Sequence, residues 1–153
     1  MEGTTQEENY KKVLGEYVDK LATGTYVGTA RGLLYFIHNG FKYPMISSRI
    51  PPLIDIFLDG STLEFMSFWS KDRRNMYALC KFAISKIKIF RERSDYILLS
   101  IEPHGKLKNI EGKFLLLLYT NKELKDTIKL ILESEELKNG EEEGFAYSTL
   151  FSF

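Results

Sequence analysis

Side chains able to carry out chemistry are few and far apart in this chain. It holds two histidines, His38 and His104, and one cysteine, Cys80. His38 opens the phrase His38-Asn39-Gly40 and His104 sits in Pro103-His104-Gly105. Neither phrase supplies the neighbouring acid or nucleophile that general acid–base work needs, so both read as turn or loop residues. Cys80 lies among Met76, Tyr77, Leu79, Phe82 and Ala83. A thiol in such company packs as a small hydrophobe and is unreactive. One Cys and two separated His do not make a structural zinc shell. Asp55, Asp59 and Glu64 would converge only across one hairpin; Asp59 is explained by the turn Asp59-Gly60, and the other two by strand positions facing water. Gly24-Thr-Tyr-Val-Gly28-Thr-Ala-Arg-Gly32 has neither the Lys-Ser/Thr ending of a phosphate loop nor a dinucleotide spacing. The expectation is a protein with no catalytic residues, no metal and no cofactor, and hence not an enzyme.

Two segments point to binding. Between residues 71 and 93 lie Lys71, Arg73, Arg74, Lys81, Lys86, Lys88, Arg91 and Arg93, opposed only by Asp72 and Glu92. Interleaved with Trp69, Tyr77, Phe82 and Phe90, they have the composition of a nucleic-acid groove, where cations meet phosphate and rings stack on bases. The chain as a whole balances 21 basic against 21 acidic residues and has no net field to steer it to such a partner. The second segment is apolar: Phe145, Tyr147, Leu150, Phe151 and Phe153 follow the acidic stretch 139–144. An extended apolar segment adds readily as a strand to a sheet edge, its own or another chain's. Arg73, Arg74 and Lys81 are each expected to be exposed, so changing the three together to Glu should leave folding intact.

The elements that position these groups follow from periodicity. Tyr10, Val13, Leu14, Tyr17, Val18 and Leu21 recur at three- and four-residue steps and predict a helix over residues 7–21. Hairpins are predicted around Asn39-Gly40 and Asp59-Gly60, with Pro51-Pro52 as a corner between them. Ser70 and the charged run after it, with Met76, Tyr77, Leu79, Cys80 and Ala83 at helical spacing, predict a middle helix. A third hairpin is expected around residues 91–95, then a strand over 114–119 buried on both faces. A last helix, capped by Asn121, would close at Asn139-Gly140. The sum is one α+β domain over 1–153, a mainly antiparallel sheet of about six to eight strands with three helices.

A buried strand followed by a long amphipathic helix after an antiparallel meander resembles the end of a pleckstrin-homology-type barrel. Because fold does not fix function, the functional expectation rests on residues. It is a non-catalytic protein–protein interaction module, an adaptor or scaffold subunit, binding through a sheet edge or aromatic groove. The alternative is a nucleic-acid-binding accessory protein using the 71–93 segment. The single cysteine fits a reducing compartment. The polar start Met1–Glu8 is unlike a signal peptide, and the longest apolar run, Phe114–Tyr119, is too short to span a membrane. The expected place is intracellular, cytoplasmic or nuclear.

Overall fold

The computed structural model describes residues 24–104, 109–139 and 146–150. The helix expected over 7–21 lies outside them, as do Phe145, Phe151 and Phe153. The elements are β1 (Thr25–His38), β2 (Phe41–Ile46), β3 (Leu53–Asp59), β4 (Thr62–Lys71), β5 (Arg74–Ala83), a single 3-10 turn (Ile84–Lys86), β6 (Ile87–Arg93), β7 (Tyr96–Ile101), β8 (Lys113–Tyr119), α1 (Lys122–Glu133), α2 (Glu135–Lys138) and β9 (Ala146–Leu150). All the ladders are antiparallel, and the strand order is β6-β7-β8-β1-β3-β4-β5-β9, with β2 pairing β1 off this path.

Turn chemistry explains most of this order. Asn39 and Gly40, at φ +50° and +77°, close β1 onto β2 through two left-handed residues, the geometry that matches strand twist. The long strand β1 then divides its edge: its second half pairs β2 and its first half pairs β3. The residues between, 47–52, turn the corner expected at Pro51-Pro52, and the Gly32 N–H donates to the Pro52 carbonyl there at 2.9 Å.

The middle helix expected from Ser70 onward does not form. Residues 74–83 are the strand β5, joined to β4 by a two-residue turn at Asp72 and Arg73, with φ +51° and +64°. Ladder pairs run from Thr62↔Ala83 to Lys71↔Arg74. The helical spacing arose because β5 is buried on both faces: Tyr77, Ala78, Leu79 and Cys80 are all at most 2 % exposed, which erases the alternation a strand normally shows. The expected burial of 114–119 on both faces is also corrected. β8 alternates, with Phe114, Leu116 and Leu118 buried and the residues between them half-buried.

One apolar cluster gathers residues from β1 through β8 and from α1. A flat sheet cannot do this, because strands lie about 4.8 Å apart. Phe82 of β5 and Phe114 of β8, four strands apart in the order, have ring centroids only 5.2 Å apart. The sheet therefore curls around its core, yet among the described residues no ladder joins β6 to β5 or β9, so it is not a closed barrel. The Asn121 side chain caps α1 by accepting from the Leu124 N–H at 2.8 Å, and Ile128 and Leu132 enter the core. Ser134 ends α1 and caps α2, so the expected last helix is two pieces.

Candidate functional site

Both histidines are committed to the main chain. The buried ring of His104 accepts the Ala83 N–H at Nε2 (3.0 Å), which leaves the proton on Nδ1 to donate to the Glu102 carbonyl at 2.8 Å. The Nδ1 of His38 lies 2.6 Å from the Glu111 carbonyl and its Nε2 lies 3.1 Å from the Asn39 side-chain nitrogen. His104 ties its loop to the end of β5, and His38 ties the end of β1 to the loop before β8. Cys80 is fully buried, and desolvation pushes its thiol far above the ordinary range.

The carboxylates do not converge. Asp55 accepts from the Thr29 hydroxyl at 2.6 Å. Glu64, expected to face water, is completely buried. Its Oε1 accepts the Gly24 N–H at 3.0 Å, and its Oε2 lies 3.1 Å from Lys81 Nζ. Among the described residues no group of three His, Cys, Asp or Glu is placed to hold a metal ion. A cleft of about 320 Å³ between β1 and α1, lined by Val27, Gly28, Thr29, Asn121, Glu123, Leu124 and Thr127, holds a single ionisable side chain.

The basic segment is divided among three places. Arg73 stands in the β4–β5 turn, with Lys71 and Arg74 paired on either side of it. Lys81, near the end of β5, is held by Glu64. Lys86 lies in the 3-10 turn, and Lys88, Arg91 and Arg93 line the edge strand β6. Helix α1 adds two cations that the sequence reading did not group with them. Lys125 donates to the Arg93 carbonyl at 2.6 Å, and Lys129 donates to Glu92 at 3.0 Å. That hydrogen bond, and then the negative charge of Glu92, hold the Lys129 ammonium above the usual lysine range. Of the apolar C-terminal residues, Tyr147 and Leu150 fall in β9, whose backbone pairs with β5 at Cys80↔Tyr147 and Tyr77↔Leu150.

The sheet edges differ in what they can accept. β9 occupies the free edge of β5. β6 is blunted by Lys88, Arg91 and Arg93 and by a bulge that leaves Phe90 unpaired between Ile89 and Arg91. β2 pairs only with β1, and Pro44 withholds a donor from it.

The β1–β2 hairpin, however, presents four rings on one side. Register places Phe36 opposite Tyr43 and His38 opposite Phe41. Phe36 and His38 stack at 6.1 Å with 13° between planes, Phe41 and Tyr43 lie at 6.4 Å, and Phe36 touches core Phe114 at 4.9 Å. These rings continue the core side of the sheet past the end of the core, so Phe41 is 66 % and Tyr43 49 % exposed. Sequence reasoning counted such rings as core, because their alternation is right for it. Only the position of the hairpin beyond the last core layer exposes them.

Comparison with known proteins gives no further guide, because no protein-family model matches the chain and no curated protein matches it. Geometry defines the class: an α+β protein with a curled antiparallel sheet and an aromatic hairpin at its open end. Among the described residues no helix is long and apolar enough to cross a membrane.

Proposed function

We propose that this protein is a non-catalytic interaction module, an adaptor or scaffold subunit, that holds a partner protein on the aromatic face of the β1–β2 hairpin. The observation that carries this is the exposure of Phe41 and Tyr43 on a side of the sheet that is otherwise packed. Rings supply large contact area at little entropic cost, and clustered exposed ones mark interfaces. The groove mode is favoured over strand addition at β6, which its cations and bulge blunt, and at β2, where Pro44 withholds a donor. A partner offering a compact apolar anchor, such as a leucine or aromatic side chain, fits between the rings.

The sheet order β6-β7-β8-β1-β3-β4-β5 followed by α1 supports a pleckstrin-homology-type reading in which β2 and β3 act as one interrupted strand. A single cysteine supports a cytoplasmic or nuclear home. Affinity capture with the native chain and with a Phe41→Ser, Tyr43→Ser variant tests the site. A partner kept by the first and lost by the second, at unchanged Tm, is expected. Equal recovery by both chains overturns the assignment to this hairpin.

A further inference from the structure

The outer side of β6, β7, β8, β1 and β2 is laid out by pairing register. Leu34, Ile46, Ile87, Ile97 and Leu116 are buried, so the residues that alternate with them face away from the core. Two rows cross the middle of this side. One runs Lys88, Ser100, Leu115, Tyr35 and Pro44; the next runs Arg91, Leu98, Leu117 and Leu33. The rows flanking them hold charge: Lys113 and Lys42 both oppose Ile37 at one end, and Arg93 and Arg31 oppose Tyr96 and Tyr119 at the other. Four leucines thus lie within a border of six cations, and no outward residue of these five strands is a carboxylate. Acids stand at the margin, Asp55 on β3 and Asp95 in the β6–β7 turn among them. Helix α1 lies on the other side, where Ile128 and Leu132 enter the core.

We propose that this face rests on an anionic membrane surface, with its cations at the lipid phosphates and its leucines toward the acyl chains. Arg31, Lys42, Lys88, Arg91 and Arg93 are exposed and Lys113 is half-buried. A cluster of about four to eight Lys and Arg is what draws a protein to anionic lipid. Because the chain balances 21 basic against 21 acidic residues, this local excess is compensated elsewhere and the molecule carries an orienting dipole.

The rings on this face have the placement that a headgroup layer favours. The Lys42 ammonium lies 4.3 Å from the centre of the Tyr35 ring, and the Lys113 ammonium 5.1 Å from that of Phe90. Each pair puts an apolar body beside a cationic tip, the combination found at membrane interfaces. The bulge in β6 leaves Phe90 53 % exposed, and Tyr119 is 42 % exposed. A nucleic acid would engage the cations alone, because its outside is phosphate and sugar, and would leave the leucines unused. A peptide needs a groove to lie in, whereas the outer side of a curled sheet is convex. A convex face with an apolar centre can sink into a headgroup layer.

The face lies across the sheet from Phe36, Phe41 and Tyr43, so it stands or falls apart from the proposed function. Sedimentation of the full-length chain with phosphatidylcholine vesicles, with and without phosphatidylserine, tests it. Binding only where phosphatidylserine is present, and release by added salt, are expected. A Lys88→Gln, Arg91→Gln variant should lower the partition coefficient by about 25-fold, roughly five-fold for each cation, at unchanged Tm. Phe90→Ser should lower it as well, whereas Lys122→Gln, on exposed α1, should not. No binding to the charged vesicles, equal binding to both kinds, or a comparable loss in Lys122→Gln would overturn the proposal. So would tighter binding to a short DNA duplex than to the charged vesicles at the same salt.

Discussion

Glu64 has its charge satisfied by a main-chain amide on one oxygen and an ammonium on the other. Removing one partner of such a buried pair strands the other, which costs far more than the intact pair contributes. The sequence-based expectation that Arg73, Arg74 and Lys81 tolerate Glu together therefore fails at one of the three. Lys81→Glu is expected to destabilise by about 3–5 kcal/mol, read as a fall in the urea midpoint. Arg73→Glu, on an exposed turn, should stay within about 0.5 kcal/mol. Equal effects would mean that the Glu64–Lys81 contact carries no weight. Lys81 looked exposed in the sequence because its partner is named only by strand register, and the register depends on a turn with no Gly to announce it.

At the scale of elements, that turn is itself a test. Asp72 and Arg73 both adopt left-handed angles that favour Asn and Gly, at a cost of about 1 kcal/mol for a side chain such as Arg. Arg73→Gly is expected to stabilise by about 1 kcal/mol, raising the urea midpoint with an unchanged slope. A fall would show that the Arg73 side chain holds the hairpin.

The turn also explains which elements were legible. Asn39-Gly40 and Asp59-Gly60 announce their hairpins, and Asn121 announces α1. β5 was misread because cover on both faces gave it an unbroken apolar run, and nothing local distinguishes that from a buried helix. Of the candidate site, the eight cations and the apolar C-terminal segment were legible as residues. Their separation onto a hairpin tip, a buried ion pair and an edge was not, since it follows from pairing.

For the whole molecule, the even charge balance leaves the β6 row and the α1 lysines as the main ground for nucleic-acid binding. With Lys81 engaged and Arg73 at a distant tip, few phosphates can be met at once. Binding to short DNA or RNA is expected to be weak and to show a shallow salt slope. A steep loss of tight binding with added salt would restore the nucleic-acid reading. The α+β class and the hairpins β1–β2, β3–β4 and β6–β7 were legible in the sequence, but the β4–β5 hairpin and the curl of the sheet were not. Curl depends on which distant strands meet, as Phe82 and Phe114 do across the core.

The ladder between β1 and β8 has a kinetic corollary. Each hairpin can zip from its own turn, but Arg31↔Tyr119 and Ile37↔Lys113 must find each other across most of the described chain. Loop-closure entropy is spent there before any contact repays it, which sets the pace of folding. Until that pairing forms, Leu34 and Phe36 lack the β8 partners, Leu116 and Phe114, that close the core against them.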